Sequence, residues 1–470
     1  MLLIALTGST GEGKTSALLQ LAVWCRNAGK SVDGFVAIAG ERKATNGAAS
    51  HYDLQWLASG ESMRFATRVE SLKPPYKFAE DALLRVQQWA EGLAGHTPPF
   101  LVILDEFGPL EVEGGGHMVA WEPIRSAHPD VVVIAVRDGL EGAIEERLGT
   151  RFDIRVKANS PDAWQQLRTA CLEHEDWSRV GVFGAASGGF EASVGSALHG
   201  GRVPMRGLFL SSMQSVVMTY AAHRLGQRGR VVWVPFISAG LKSLSPTGSR
   251  LGPMLAITMQ GLLYGGAVTA LGWNAIAVMV GGILVTGWAA AQGLVLQYLL
   301  FGGELLRAYD TVIRWVVERF NISPPGVVVL MTVWCALWGS VGAAVTFLAW
   351  RHRETIPTKL RVLLDRGSQN VRLNSASPTW RHATRGGLRD LARPFFWVPL
   401  LIVTAVIVLS GSPWESAFWI VARAATIGVV IFSLVRVFNP QKFIAWLRGR
   451  GHWGPALAFR RAIGEKQNPS

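Results

Sequence analysis

Charged residues and cysteines are both scarce in this chain. Of its 470 residues, 17% are charged and 49% are hydrophobic, and the mean hydropathy is +0.26. An average soluble protein has about 25% charged residues, so this composition excludes a disordered chain and argues against a purely cytosolic enzyme. The cysteines Cys25, Cys171 and Cys335 lie far apart without paired Cys or His spacing, so neither a disulfide framework nor a zinc site is expected.

The charge is also divided unevenly along the chain. Residues 1–178 carry 17 Lys and Arg against 24 Asp and Glu, whereas residues 179–470 carry 29 against 9. A sequence pI near 10.1 often indicates nucleic-acid binding. Here the basic residues flank long uncharged stretches, as the positive-inside rule describes for membrane proteins, so nucleic acid is not an expected partner. Residues 1–6 lack the basic start of a signal peptide, and the acidic part is expected to stay in the cytosol.

Uncharged runs in the second part predict an all-α, polytopic transmembrane domain, because about 20 apolar residues cross the hydrocarbon layer as a helix. The longest run, residues 251–303, contains no Asp, Glu, Lys or Arg and is long enough for two spans. A glycine-rich linker over 179–205 precedes the spans. We expect six of them, at 207–222, 253–271, 273–301, 327–350, 394–411 and 416–435. The alternative for 207–251 is a re-entrant pair of half-spans.

Basic residues set the predicted orientation. The protein is expected to be an integral, multi-pass protein of the inner or plasma membrane with both termini in the cytosol. Residues 441–461 mix aromatic and basic residues, which predicts either a helix in the headgroup layer or a solvated tail. The domain map is spans one to three in 206–301, an outer loop and span four in 302–350, a basic cytoplasmic loop in 351–393, a hairpin of spans five and six in 394–436, and a basic cytoplasmic tail in 437–470.

A few polar residues interrupt the predicted spans, where an unpaired polar group is costly. The ordinary interpretation is hydrogen bonding between helices for the amides and snorkelling for the arginine, and the alternative is a substrate path. These residues are Gln214, Gln260, Asn274, Gln292, Gln297 and Arg423.

The acidic part opens with a phosphate-binding pattern. Residues 2–6 predict a strand, an apolar helical run begins at Ser16, and between them the chain has the form GxxxxGKT. Glycines let backbone N–H groups surround phosphate oxygens, the helix N-terminus adds positive potential, and Lys14 reaches the β- and γ-phosphates. Thr15 would hold magnesium. The nucleotide-binding residues of this Walker A loop are predicted to be Gly8, Ser9, Thr10, Gly11, Glu12, Gly13, Lys14, Thr15 and Ser16.

A second pattern, at residues 100–106, would complete the metal site. An apolar strand ends in Asp105 and Glu106, which is the form of a Walker B motif. Asp105 is predicted to hold Mg²⁺ through water, and Glu106 to orient or deprotonate the attacking water. The ordinary alternative, a strand that meets a solvated loop, is weakened by the Walker A loop upstream.

Strands and helices alternate through the rest of the acidic part. Such alternation predicts an α/β P-loop fold, with a parallel sheet and helices on both faces, over residues 1–178. Arg42 and Arg137 lie at strand ends, where each is either a cation for the γ-phosphate or a solvated surface residue. The further strands are expected at 32–38, 131–136 and 152–156, and the helices at 79–92, 139–148 and 162–173.

Several of these segments resemble a known family. Residues 6–15, 34–42 and 51–61, and above all LDEFGPLE at 104–111, are similar to the small P-loop nucleoside-triphosphatases of the cancer-related or thermophile NTPase family. The resemblance covers residues 1–175 and not the membrane part, and the family often has isoleucine where Phe107 stands. It implies slow hydrolysis of ATP, GTP and other NTPs, with a phosphate and Mg²⁺ loop and an acidic pair at Gly8, Gly13, Lys14, Thr15, Asp105 and Glu106.

The sequence therefore predicts a membrane-anchored, Mg²⁺-dependent nucleoside-triphosphatase with Lys14 and Glu106 as catalytic residues, and with NTPs and the lipid bilayer as partners. One alternative is an NTP-energised or NTP-regulated transporter with a substrate-binding six-helix domain, although the signature and histidine switch of ABC transporters are lacking. Others are a nucleotide or polynucleotide kinase, and a nucleotide-dependent switch without turnover. A homo-oligomer or a membrane partner subunit is a further expectation, because P-loop enzymes often complete their site with a neighbour's arginine.

Overall fold

The fold is described from a computed structural model of the full chain. Its contacts divide the chain into two units. The head unit comprises Met1–Glu175 with Leu447–Leu457, and the helical unit comprises Asp176–Trp446 with the segment that begins at Ala458. The described residues are 1–41, 49–71, 75–95, 97–195, 198, 205–243, 251–301, 303–320, 324–354 and 440–463, with scattered positions between 397 and 429.

The head unit is built on a sheet of eight strands among the described residues, in the order β5-β4-β3-β2-β6-β7-β1-β8. Five adjacent strands, β2, β6, β7, β1 and β8, run parallel to one another. β3, β4 and β5 extend the sheet beyond β2 through antiparallel pairs. The strands are β1 (Leu2–Gly8), β2 (Val32–Ala39), β3 (His51–Trp56), β4 (Ser62–Arg68), β5 (Tyr76–Phe78), β6 (Leu101–Phe107), β7 (Val131–Arg137) and β8 (Ile154–Lys157).

The sheet is therefore mixed, and the prediction of a parallel sheet is wrong at one edge. β3 and β4 are joined by a short turn, which antiparallel strands allow, whereas a parallel pair needs a crossover of a dozen or more residues. Much of both strands is partly exposed, so they lack the continuous apolar run that marks β1, β6 and β7.

Helices cover both faces of the sheet, as predicted. Successive residues of β1 point to opposite faces: Leu3 and Ala5 join one buried core, and Leu2, Ile4 and Leu6 join the other. The first core includes residues of α2, α4 and α5, and the second includes residues of α1 and α6. The helices are α1 (Lys14–Asn27), α2 (Glu80–Gly92), α3 (Pro109–Val112), α4 (Trp121–Ala127), α5 (Glu141–Leu148) and α6 (Ala163–Phe190).

The C-terminal tail packs into the protein, against the expectation of a headgroup-layer helix or a solvated tail. The Arg448 Nε atom lies 2.8 Å from Asp153 Oδ1, and Trp453 packs against the core formed by α1 and α6. The apolar side chains Leu447, Leu457 and Phe459 are buried. A helix with an apolar stripe fits a protein core as well as a membrane surface, and its sequence does not distinguish the two.

The helical unit contains the second part of α6, from Asp176, and a π-helical turn at Glu191–Gly195. Helix therefore replaces much of the glycine-rich linker expected at 179–205. The glycines serve close packing, because an added Cβ at Gly184 would lie 2.6 Å from Ile237. The further helices are α7 (Arg206–Arg224), α8 (Trp233–Ser243), α9 (Leu251–Leu271), α10 (Ala275–Phe301), α11 (Gly303–Phe320), α12 (Pro324–Arg351), α13 (Pro440–Gly449) and α14 (Trp453–Ile463).

Three helices among the described residues are long and apolar enough to cross a membrane. They lie at Gly252–Leu271, Ala275–Gly293 and Thr332–Arg351, where the sequence predicts spans. The predicted span 207–222 forms α7, which is not among them. It carries polar residues such as Ser211, Gln214 and Thr219, and these are buried. The predicted hairpin at 394–436 and the basic loop lie largely outside the described residues.

Candidate phosphate-binding site

The glycine loop, residues 8–15, connects the end of β1 to the start of α1. Gly11 has a φ of 89° and Gly13 a φ of 84°, both in the left-handed region that side-chain-bearing residues rarely adopt. The first helical hydrogen bond runs from Ala17 N to Gly13 O. Two of the loop's glycines are thus required by its backbone conformation, and the loop delivers the chain directly into a helix N-terminus.

Lys14 is buried and its ammonium group lies across the glycine loop. Its Nζ atom donates hydrogen bonds to the carbonyl oxygens of Gly8, at 2.7 Å, and Ser9, at 2.9 Å. The positive charge is therefore held at the loop. Ser9, Thr10, Gly11, Gly13 and Ser16 are exposed.

The Glu12 side chain also folds onto the loop, which the sequence pattern did not predict. Its Oε2 atom accepts a hydrogen bond from Ser9 N at 2.7 Å, and its Oε1 atom accepts one from Asn159 Nδ2 at 3.4 Å. The loop thus carries a carboxylate as well as an ammonium group. Only the tertiary structure could reveal this, because Asn159 follows β8, far along the chain.

Thr15 and Asp105 are brought together by the sheet. The Thr15 Oγ1 atom donates a 2.7 Å hydrogen bond to Asp105 Oδ2, although the two residues are 90 positions apart. Asp105 lies near the end of β6, where it is fully buried. The same Oδ2 accepts a hydrogen bond from Ala37 N at 3.1 Å, and Oδ1 accepts one from Glu106 N at 2.9 Å. β1 and β6 are separated only by β7 and run parallel to it, so their ends meet at one edge of the sheet.

Burial raises the pKa of Asp105 to about 6, and the Glu106 charge adds to the increase. The hydrogen bonds from Thr15, Ala37 N and Glu106 N act in the opposite direction. The carboxyl group is therefore one whose ionisation the fold opposes, and a bound cation would favour the ionised form.

The pKa of Asp105 predicts a pH dependence of stability. Because the pKa is raised on folding, the folded state binds this proton more tightly than the unfolded state, and stability should fall as pH rises from 3.8 through about 6. The loss should amount to roughly 3 kcal/mol, since one pKa unit corresponds to about 1.4 kcal/mol. We expect Asp105→Asn to lack this loss, so the thermal midpoints of the two proteins should diverge between about pH 4 and pH 6. Parallel midpoint curves would contradict the raised pKa.

Glu106 has an unusual backbone conformation for its residue type. Its φ is 62°, and the pairing of β6 with β7 shifts register between Leu104 and Phe107. The strand is therefore irregular at Glu106, as at a β-bulge. Glu106 is partly exposed, and within the described part of the chain no hydrogen bond or ion pair occupies its carboxylate. A half-exposed carboxylate without a partner is suited to accept a proton.

Glu111 fixes the turn that follows Glu106, a role that sequence reasoning missed. Its buried carboxylate accepts hydrogen bonds from Gly108 N at 2.8 Å and His117 N at 3.1 Å. Burial raises the pKa of Glu111. The His117 ring packs among Phe35, Phe65 and Phe107 and is buried, which lowers its pKa to about 3 and keeps it neutral. The position of Glu111 within LDEFGPLE was the available signal.

The two candidate arginines have different outcomes. Arg42 lies outside the described residues. Arg137 ends β7 directly opposite Gly8 in the strand register and is exposed. The adjacent Asp138 N donates a hydrogen bond to Gly8 O at 3.3 Å. Arg137 therefore stands beside the glycine loop, and its role at a phosphate stays a prediction.

The polar residues predicted to interrupt the spans differ in burial and in their hydrogen-bond partners. Gln214 is buried and its Oε1 accepts a 2.5 Å hydrogen bond from Ser187 Oγ, which lies 3.3 Å from Ser238 Oγ. Asn274 caps α10 through a 2.8 Å bond from Ala277 N to its Oδ1. The other outcomes are that Gln260 is buried, Gln292 is partly buried, and the Gln297 side chain and Arg423 lie outside the described residues.

Magnesium fits the donor chemistry of the site. Mg²⁺ prefers oxygen ligands and usually keeps several waters or phosphate oxygens. The Thr15 hydroxyl and the Asp105 carboxylate are such ligands and already lie in contact. Among the described residues no group of three or more His, Cys, Asp or Glu is placed to hold a metal ion. The residues present are thus suited to an ion that a nucleotide helps to bind.

Comparison of the chain with family models, with curated proteins and with solved structures found no match.

Proposed function

We propose that the protein is a membrane-anchored, Mg²⁺-dependent nucleoside-triphosphatase that hydrolyses ATP, GTP and other NTPs to the diphosphate and phosphate. The observation that carries the proposal is the 2.7 Å hydrogen bond between Thr15 and Asp105. It joins a glycine loop that holds a buried lysine to a buried carboxylate at the same edge of the sheet. A helix N-terminus, a lysine and an acidic pair in this arrangement suit the binding of a triphosphate.

Each residue has a defined role in the proposed reaction. The loop amides and the Lys14 ammonium bind the β- and γ-phosphate oxygens and stabilise the charge that grows on them. Thr15 and Asp105 would hold Mg²⁺, which supplies neutralisation of the phosphate charge. Glu106 accepts a proton from the attacking water while the oxygen of that water bonds to the γ-phosphorus. The bond from that phosphorus to the β,γ-bridging oxygen breaks, and the diphosphate leaves with the electron pair.

The membrane part of the proposal is supported by the three apolar helices of the helical unit. Gly252–Leu271, Ala275–Gly293 and Thr332–Arg351 each have the length and composition of a span. Several of their large apolar side chains, such as Leu262, Ile283 and Leu337, are exposed, and lipid would cover them. The proposed location is a cell membrane, with the head in the cytosol.

Phosphate release by the purified full chain tests the proposal. We expect Mg²⁺-dependent release with ATP, GTP and CTP, and a loss of at least about 100-fold in Lys14→Ala, because one charge-stabilising donor is typically worth that much. Lys77→Ala, an exposed lysine on β5, is the matched control and should retain full activity. No release from the wild-type chain with any nucleotide would sink the proposal. The full chain is required, because Leu447–Leu457 belongs to the head unit and truncation after residue 178 would remove Arg448 and Trp453 from it.

A second candidate, NTP-energised transport, is favoured by one observation in the helical unit. The buried residues Ser187, Gln214 and Ser238 form a polar cluster in which Gln214 Nε2 has no hydrogen-bond partner among the described residues. Buried polar groups of this kind mark substrate paths in membrane proteins as well as helix contacts. If transport is the function, phosphate release by the wild type should differ between detergent and vesicles. Gln214→Leu should remove that difference. Release that is equal in detergent and in vesicles, and unchanged in Gln214→Leu, would remove this candidate.

A further inference from the structure

Helix α11, Gly303–Phe320, differs in pattern from the apolar helices on either side of it. Five of its six charged residues recur at spacings of three and four, as do its apolar residues, so the sequence places most of the charge opposite an apolar side, with Arg319 at the border beside Val312. The charged residues are Glu304, Arg307, Asp310, Arg314, Glu318 and Arg319, and the apolar stripe is Leu305, Tyr309, Val312, Val316 and Phe320.

Among the apolar side chains of α11 that the structure describes, three are exposed to solvent and two, Ile313 and Val317, are partly buried. Val312 is 43% exposed, Phe320 is 63% exposed, and Trp315, at the edge of the stripe, is 60% exposed. Trp315 and Phe320 contact each other edge to face, with ring centroids 6.5 Å apart. Large apolar side chains that are exposed together on one helix indicate a site that contacts a membrane or another protein.

The helices on either side of α11 indicate where its exposed apolar side chains lie relative to a membrane. The helices before and after it, α10 and α12, contact each other closely: Gly282 lies against Gly342, and Ile283 against Gly339. The order of these contacts makes the two helices antiparallel, and both contain candidate spans. The end of α10 and the start of α12 therefore reach the same bilayer surface. α11 is held to that surface at both ends, and its 18 residues extend about 27 Å along it.

We infer that α11 lies in the plane of the membrane surface, with its apolar side inserted at the boundary of headgroups and acyl chains. The partner is a lipid bilayer, and Trp315 suits this depth because aromatic residues favour the interface. The charges of α11 indicate which lipid. It has three acidic and three basic residues, and Arg314 and Asp310 pair at 2.5 Å, so the helix has no net charge to attract anionic lipids. We therefore expect α11 to bind zwitterionic lipid without any need for anionic lipid.

This inference rests on the proposed membrane insertion, and spin labels can separate the two. The full chain would carry Cys335→Ala, which removes an exposed thiol, while Cys25 and Cys171 remain because they are buried and protected from labelling. Single cysteines are then placed at Val312 and Phe320 on the apolar side and at Arg314 and Glu318 on the charged side. Ile283 in α10 serves as the span control and Leu84 in the head unit as the water control, since both are exposed.

The measurement is the accessibility of each nitroxide to oxygen, which concentrates in lipid, and to a water-soluble nickel chelate, in phosphatidylcholine vesicles. We expect labels at 312 and 320 to favour oxygen, labels at 314 and 318 to favour nickel, and the label at 283 to be deepest. Added phosphatidylserine or salt should leave this order unchanged.

Three outcomes would overturn the inference. Labels at 312 and 320 as open to nickel as the label at 84, with 283 still protected, would remove the surface helix and leave membrane anchoring standing. A nickel-accessible label at 283 would contradict the membrane insertion itself. Protection at 312 that appears only at high protein-to-lipid ratio, with dipolar broadening between labels, would assign the surface to a second copy of the chain.

Discussion

Replacing Glu106 by glutamine is expected to lower the rate of phosphate release by about 10²- to 10⁴-fold while leaving nucleotide binding nearly unchanged. Glutamine preserves the size of the side chain and removes its ability to accept a proton from water. The substitution should cost little stability, because no donor occupies the Glu106 carboxylate among the described residues. Binding is measured with a fluorescent nucleotide in the presence of Mg²⁺, and release is measured under the same conditions.

The control for Glu106→Gln is Glu113→Gln. Glu113 is an exposed carboxylate in the turn that follows, and it should show wild-type release and binding. If Glu106→Gln kept release within a few-fold of the wild type, Glu106 would not be the base. If it lost nucleotide binding together with release, the residue would serve the binding of the triphosphate and not the proton transfer.

Replacing Gly282 by leucine is expected to destabilise the helical unit by about 3 kcal/mol or more, the upper range for overpacking a close contact. An added Cβ at Gly282 would lie 2.4 Å from the Gly342 carbonyl oxygen and 2.4 Å from Thr346 Oγ1. An added Cβ at Gly342 would meet Gly282 O and Thr286 Oγ1 at the same distances. The obstacle on each side includes backbone, which cannot turn away as a flexible side chain can, so α10 and α12 would have to separate.

Gly287→Leu is the matched control for this contact. Gly287 lies on the same helix and an added Cβ there would meet nothing within 4 Å. Thermal unfolding in detergent is monitored by size-exclusion chromatography. The unfolding midpoint should fall strongly in Gly282→Leu and change little in Gly287→Leu. Equal midpoints in the two variants would show that the contact between α10 and α12 is not tight. Small residues at such crossings are typical of helices that pack within membranes, where apolar surface alone gives no drive to associate.

Much of the candidate site was predictable because its parts are short and local. The glycines of the loop meet a backbone requirement at Gly11 and Gly13, and that requirement is written in consecutive residues. The meeting of Thr15 with Asp105 was predictable too, since parallel strands place their carboxyl ends at one edge. The partners of Glu12 and Glu111 were not. Asn159 reaches Glu12 only because the end of β8 lies near the glycine loop, and His117 N reaches Glu111 only because the segment after β6 turns back on itself.

The sequence by itself determined which segments are apolar, how long they are and with what period, and this was enough for the buried strands, the glycine loop and the three apolar helices. The tertiary structure decided what covers each apolar surface. It placed the antiparallel strands at the sheet edge, brought Trp453 of the tail into the head core, and left Val312, Trp315 and Phe320 of α11 exposed. The reason is physical: the hydrophobic effect requires that apolar area leave water but does not specify its partner. That choice depends on which segments, distant along the chain, fit together in space.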